Sequence, residues 1–206
     1  MKLFFIYLTL ALAAASSLSL VCHAQTGPNT AVSQAPAAVP NGVLTDPYAA
    51  ILGPEVKLLG YSIRPPKDYT PMSMPPQTGS TRSFAWQGAI HQDGSVTTFV
   101  VGIVRPAVAE KNPAREFMTG AFQGLSSTLT NSAMSPSQPG VVGGMPAQRA
   151  TWTGTRETKH TKLTMQGFIY VVQDGAILIS IIGTDSVPSF TTTFSVLNSS
   201  ALSLHR

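Results

Sequence analysis

Residues 163 to 183 read LTMQGFIYVVQDGAILISIIG. Two runs rich in β-branched and aromatic residues flank Asp174-Gly175, a dipeptide that favours the tight turn of a β-hairpin. The pattern predicts strands from Leu163 to Gln173 and from Ala176 to Gly183. Because the segment from Ile177 to Ile182 is apolar on both faces, neighbouring elements must cover both sides of it. We therefore predict this segment as the central strand of a sheet.

A second hairpin is predicted earlier in the chain. Phe84, Trp86 and Ile90 share one face of an alternating segment. Gln92-Asp93-Gly94 supplies turn residues, and the apolar run from Val96 to Val104 predicts the return strand. The remaining predictions are strands at Leu59–Ile63 and Ala147–Gly154 and loops over residues 67–81 and 131–146.

Two segments carry apolar residues at the helical period. Asn112-Pro113 is a typical helix start, and a C-terminal helix is predicted around Phe194. An amphipathic helix must bury its apolar stripe, so both helices are predicted to pack on the sheet, one on each face or both on one. The fold class is therefore α+β, with a central antiparallel β-sheet of about six strands flanked by two amphipathic helices. The two stripes are Phe117, Ala121, Phe122, Leu125 and Leu129, and Phe190, Phe194, Leu197, Ala201 and Leu204.

The N-terminus has the pattern of a secretory signal peptide. Lys2 precedes an apolar run from Leu3 to Ala15, and small and apolar residues continue to Ala24. We predict that residues 1–24 are a signal peptide cleaved after Ala24, so that the mature protein is exported to the periplasm or the extracellular space. The alternative is a lipoprotein anchored through Cys22, although the residues before Cys22 match a lipobox poorly.

The mature chain is predicted to consist of a linker and one domain. Residues 25–45 are rich in Pro, Ala, Ser and Thr, without charge or apolar period, and predict a disordered linker. Asp46-Pro47 predicts the start of a short helix through Leu52, and residues 46–206 are predicted to form a single domain. About 180 residues remain after cleavage, enough for a hydrophobic core. No segment after Ala24 is long and apolar enough to predict a transmembrane span.

The charge balance argues against nucleic acid as a partner. Without Lys2 the chain has 12 basic and 9 acidic side chains, a net charge of +3. Nucleic-acid binding requires a clustered stripe of Lys and Arg, which so mild an excess does not supply. Charged residues make up only 11% of the chain, against about 25% in typical domains.

Three features of the sequence resemble a known fold. Residues 60–69, GYSIRPPKDY, form a strand that runs into a proline–lysine turn and an aromatic residue. Gly144-Met145-Pro146-Ala147 precedes a strand, and the last hairpin is followed by a helix that begins with aromatic residues. Over about residues 55–204 this order resembles the PsbP-like fold of photosynthetic lumenal proteins, small Ran-binding proteins and bacterial envelope proteins of the DcrB type. The resemblance implies an α/β/α sandwich with an accessory or binding role and no catalytic residue.

The sequence contains no recognisable catalytic or metal-binding motif. Beyond Ala24 the three histidines His91, His160 and His205 are far apart, and no cysteine follows Cys22. The G-x-S-x-G and S-x-x-K patterns of acylating enzymes are absent. We therefore predict no catalytic residue, metal or cofactor. The alternative is a small secreted hydrolase that uses His91 or His160.

Asp185 directly follows the predicted central strand. We interpret its carboxylate as a hydrogen-bond acceptor at the start of the C-terminal helix.

One group of basic residues is concentrated in a predicted hairpin. Alternation along the strands could place several of them on one side, as a cationic patch for a protein or envelope component. The alternative is that their charge keeps the edge of the hairpin unpaired. Together these features predict an exported non-enzymatic accessory or binding domain of the cell envelope, whose partner is unknown. The basic residues are Arg149, Arg156, Lys159, His160 and Lys162.

Overall fold

A computed structural model describes residues 50–75, 77, 80–106, 112–157 and 161–206. The predicted signal peptide, the linker and most of the short helix predicted through Leu52 lie outside the described residues. Residues 50 and 51 form a turn and Leu52 makes an isolated bridge with Pro66, so that helix does not extend over residues 50–52.

A mostly antiparallel sheet forms the centre of the protein, in the order β3-β4-β5-β10-β9-β8-β6, with β7 also paired to β8. A separate hairpin is made by β1 and β2. The α+β class is therefore confirmed, although the main sheet has eight strands where about six were predicted. The elements of the described residues are β1 (Val56–Leu58), β2 (Tyr61–Ile63), β3 (Thr70–Pro71), β4 (Thr81–Ile90), β5 (Val96–Val104), α1 (Pro113–Ser126), β6 (Thr130–Met134), β7 (Gln138–Val142), β8 (Met145–Glu157), β9 (Lys162–Asp174), β10 (Ile177–Ser186) and α2 (Val187–Leu202).

The predicted central strand, β10, lies in the middle of the sheet. It pairs antiparallel with β5 on one side, where Ile181 lies opposite Val101. On the other side it pairs with β9, where Ile181 lies opposite Tyr170. Both hydrogen-bonding edges of β10 are thus occupied by protein backbone, as burial of a strand requires. The β9–β10 turn consists of Gly175 and Ala176, one residue later than predicted.

The two helices pack on opposite faces of the sheet, which decides between the arrangements that the sequence left open. On the α1 side, the stripe of α1 covers an apolar layer that includes Val100, Ile169 and Ile182. On the α2 side, α2 and the β1–β2 hairpin cover a layer that includes Phe99 and Phe168. Phe122 and Phe194 each pack against the core beneath their own helix. No helix of the described residues has both the length and the apolar character needed to cross a membrane.

The two segments that were predicted as loops contain the additional strands. Residues 131–146 hold most of β6 and all of β7, which lie one after the other along the outer edge of β8. Four of the five residues of β7 are exposed, and Pro139 and Gly140 lie within it. An edge strand of this kind lacks the apolar alternation that identifies a strand in sequence, and its Pro and Gly favour a loop prediction. The short strand β3 lies in the other predicted loop.

Two strands differ in detail from the sequence pattern. Leu59 and Gly60 have positive φ angles of 52° and 91°, so they form the turn between β1 and β2 and do not begin a strand. In β4 the register shifts between Gln87 and Ile90, which breaks the predicted alternation. Trp86 is therefore buried, whereas Ile90 is 63% exposed.

Gly167 lets a tryptophan ring lie flat on the α1 side of the sheet. It is the cross-strand neighbour of Trp152 on β8 and of Thr184 on β10. A Cβ atom added to Gly167 would lie 2.7 Å from the indole of Trp152 and 2.3 Å from the carbonyl oxygen of Gly183. Both distances are far below van der Waals contact, so any larger residue must displace the ring or the strand.

We expect Gly167→Ala to lower the free energy of unfolding by about 2–3 kcal/mol, the cost of overpacking a core that cannot relax easily. Gly140→Ala in β7 is the matched control, because nothing lies within 4 Å of an added Cβ there. Urea denaturation of both variants measures the difference. Equal stabilities for the two variants would contradict the packing of Trp152 on Gly167.

Candidate functional site

A buried carboxylate connects three elements near one end of the sheet. Asp185, the second-last residue of β10, is completely buried. Its Oδ1 accepts a hydrogen bond from the backbone N–H of Ser186 at 2.8 Å and lies 3.0 Å from Nε2 of His91. Its Oδ2 accepts the hydroxyl proton of Thr193 in α2 at 2.7 Å. The interpretation of Asp185 as an acceptor at the start of the last helix is confirmed, and His91 is the partner that the sequence did not indicate.

The β4–β5 turn holds His91 in place. His91 follows directly after β4, and the hydroxyl oxygen of Thr97 in β5 lies 2.9 Å from the same Nε2. Within the turn, Oδ1 of Asp93 accepts hydrogen bonds from the backbone N–H and the hydroxyl of Ser95. Burial alone would raise the pKa of Asp93, but the two bonds from Ser95 favour the carboxylate and lower the pKa below its usual value.

Next to this network, Tyr69 forms one wall of a cleft. Its ring covers Gly88, where an added Cβ would lie 2.9 Å from the ring. Burial raises the pKa of Tyr69 to about 12, and the charge of Asp185 contributes in the same direction. The cleft of about 340 Å³ lies between the segment Lys67–Tyr69 and the first half of α2, with Thr193 and Val196 on the helix side. Thr193 therefore joins the wall of the cleft to the buried carboxylate.

A histidine next to a buried carboxylate also occurs in hydrolytic triads, so we compared the contacts of His91 and Asp185 with those of a triad. A triad needs a nucleophile that is bound to the histidine and reachable by substrate. Here Nε2 of His91 is occupied by Asp185 and Thr97, and Thr97 is only 2% exposed. Among the described residues no hydroxyl is hydrogen-bonded to the other ring nitrogen of His91. The geometry is that of a contact that fixes the β4–β5 turn to the start of α2. His160 lies outside the described residues.

Metal ligands do not converge in the part of the chain that the structure describes. No group of three or more His, Cys, Asp or Glu side chains there has a geometry that could hold a metal ion.

The structure distributes the predicted basic residues over both sides of the sheet. Arg149 lies on the α2 side, because it alternates with Ala150 and Trp152, which belong to the α1-side core. Arg156 has the parity of Trp152 and lies on the α1 side, where burial lowers its pKa. Lys162 is on the α2 side. Lys159 and His160 lie outside the described residues.

Lys162 is already paired with an acid. It is the cross-strand partner of Glu157, and its Nζ lies 2.9 Å from Glu157 Oε1. The bond from Lys162 lowers the pKa of Glu157. Because both side chains are largely exposed, the pair contributes little to stability, but Glu157 neutralises the charge of Lys162.

Arg149 has a different environment from the other basic residues. Its guanidinium carbon lies 5.7 Å from the centre of the Tyr170 ring and 5.8 Å from that of Phe194. These rings belong to an aromatic cluster, in which Phe194 also contacts Phe168 and Phe190. Two aromatic faces contact a half-buried guanidinium, a cation–π arrangement that arginine forms more often than lysine because its planar group also stacks on the rings.

Comparison with known proteins identifies the fold. No protein-family model matches the sequence, and no characterised protein matches it significantly. Cyanobacterial PsbP (CyanoP) from Synechocystis sp. PCC 6803 is similar in structure, with a TM-score of 0.54 and 13% sequence identity over 80% of this chain and 95% of that one. The Ran-binding protein Mog1p of Saccharomyces cerevisiae has a TM-score of 0.50 and 12% identity, over 75% of this chain and 95% of that one. The chain has a PsbP-like fold, as its order of elements indicated.

We expect His91→Ala to lower the free energy of unfolding by about 3 kcal/mol, because it removes the imidazole that lies 3.0 Å from a fully buried carboxylate. His205→Ala is the control: its side chain is 48% exposed, and its contacts with Ser62 are made by the backbone. Chemical denaturation at neutral pH measures both effects. The structural role assigned to Asp185 is wrong if the two variants lower the free energy of unfolding equally.

Proposed function

We propose that this protein is an exported, non-enzymatic accessory or binding domain of the cell envelope, and that it binds a protein or another envelope component. The signal-peptide pattern of residues 1–24 supports export, with cleavage after Ala24. Residues 25–45 then serve as a linker in front of the single domain formed by residues 46–206. The mature protein works in the periplasm or outside the cell.

The observation that carries the non-enzymatic part of this proposal is how His91 is used. Of the two histidines that the structure describes beyond residue 50, His91 lies nearer to a carboxylate, yet both contacts of its Nε2 are to buried groups within the fold. An imidazole nitrogen with such contacts stabilises the structure and is not accessible to a substrate.

The fold supports a binding role by analogy. Mog1p, a protein of the same fold, is by name a Ran-binding protein. With a helix on each face of the sheet, the outer strands and the exposed sides of the helices remain as surfaces that a partner can contact. Because one fold can serve many functions, the binding role is tested by the experiments on this protein itself.

A hydrolase that uses His91 is the second candidate, because the 3.0 Å contact of His91 with Asp185 is a feature of hydrolytic sites. We expect the purified domain to resist labelling by a fluorophosphonate probe and to leave ester substrates intact. Labelling of the native protein that disappears in His91→Gln would contradict the proposal and favour the hydrolase.

The mature N-terminus tests export and separates it from the lipoprotein alternative. We expect mass spectrometry of the protein recovered from the envelope fraction to show a chain that begins at Gln25. Cys22→Ser should then change neither the mass of the mature protein nor its location. A diacylated Cys22 would replace our proposal with a lipid-anchored protein, and an uncleaved Met1 in the cytoplasm would exclude export altogether.

A further inference from the structure

Arg149 combines two properties. It contacts two aromatic rings, and it has no acidic partner among the residues that the structure describes. Among the described residues, its guanidinium has neither a carboxylate within ion-pair distance nor a hydrogen-bond acceptor; its recorded contacts are the faces of Tyr170 and Phe194. The five N–H groups of a guanidinium are strong hydrogen-bond donors. Burying such a donor without an acceptor costs free energy.

The neighbours of Arg149 add polar groups and apolar surface. The Tyr170 hydroxyl donates to Oδ1 of Asn198 at 2.8 Å. Burial raises the pKa of Tyr170 and the charge of Arg149 partly opposes this, so Tyr170 stays a neutral donor. Along β8, the hydroxyl of Thr151 follows two residues later on the same side, next to Ser135. We call this surface the Arg149 site: Arg149, Thr151, Tyr170, Phe194 and Asn198.

No acidic side chain of the described residues compensates the charge of Arg149. On the α2 side of β8 and β9, Glu157 is the counter-ion of Lys162, and Asp174 is bound by Arg206 and Tyr61. Neither carboxylate is free for Arg149. The site therefore offers a single positive charge, fixed in direction, to whatever approaches it.

We propose that the Arg149 site binds an acidic side chain of a protein partner, with the guanidinium of Arg149 as the bidentate donor to its carboxylate. This rests on the proposed binding function and names the surface that serves it. The planar fork of arginine matches a carboxylate, and contact with aromatic ring faces leaves its N–H groups available as donors. The half-buried Arg149 lies beside the buried Tyr170 and the partly buried Phe194, and all three residue types are enriched in the core of protein interfaces.

A lipid or polysaccharide surface fits the observations less well. Membranes and polyanions are attracted by groups of basic side chains that act together. The structure places Arg156 on the opposite side of the sheet from Arg149 and pairs Lys162 with an acid. One oriented cation among aromatic carbon and polar groups favours a defined contact with a single carboxylate.

The test is a titration of the full mature chain with a capped oligoglutamate peptide, followed by chemical shifts in the NMR spectrum. We expect shifts concentrated around Arg149, Tyr170 and Asn198. Arg149→Gln should weaken binding of the peptide about tenfold, because one charge-assisted bidentate contact is lost. Arg149→Lys should bind the peptide more tightly than Arg149→Gln but more weakly than the wild type. Arg115→Gln, which removes an exposed arginine from α1 on the other side of the sheet, should leave binding unchanged.

The thermal midpoint of each variant separates a structural role from a binding role. If Arg149 only fixes α2 to the sheet, Arg149→Gln lowers the midpoint while binding of the peptide per folded molecule stays as in the wild type, and the inference is wrong. It is also wrong if Arg115→Gln weakens binding as much as Arg149→Gln, or if vesicles of phosphatidylglycerol compete for the site better than the peptide.

A cross-linking arm keeps this inference distinct from the proposed function. If an envelope partner cross-links equally to wild type and Arg149→Gln, the binding function stands and the Arg149 site is wrong. If the peptide binds at Arg149 but no envelope component cross-links to the exported protein, the proposed function falls.

Discussion

The hydrogen bonds that β10 makes with β5 and β9 hold the middle of the sheet, and both faces of β10 are buried. Ile179 and Ile181 point to the α2 side and Leu178 and Ile182 to the α1 side, and all four are buried. A strand of this kind removes apolar surface from water on two sides at once, so each helix has a definite place to pack. The rest of the fold follows from that demand. The glycines beside β10 then let large rings lie close to the backbone.

The parts of the fold that bury apolar surface could be read from the sequence. The central strand, β5 and the two helical stripes each carry an apolar pattern that matches their observed burial, whereas the alternation of β4 holds only up to its register shift. The outer strands could not be read, because β6 and β7 have mostly exposed side chains and are held by backbone pairing to β8. The turn at Leu59 was missed for another reason. A leucine with positive φ is uncommon, and its neighbours alternate as in a strand.

The functional residues divide in the same way. Composition identified Arg149 only as one of five basic residues. The structure shows that Arg156 lies on the opposite face of β8 from Arg149 and that Lys162 is paired with Glu157. The aromatic rings that hold Arg149 come from β9 and α2, distant in sequence, so no local pattern could have assembled them. The contact of His91 with Asp185 likewise joins residues far apart in the chain. Its only local signal was the position of Asp185 between a buried strand and a helix.

Hydrogen exchange of the backbone amides tests the central position of β10 most directly. The account predicts that the amides of Ile179 to Ile182, with their partners in β5 and β9, exchange only through global unfolding, whereas those of β6 and β7 exchange through local opening. The contrast should amount to several orders of magnitude in protection. If the amides of β10 exchange as fast as those of β7, or faster, then this strand is not the buried centre of the sheet.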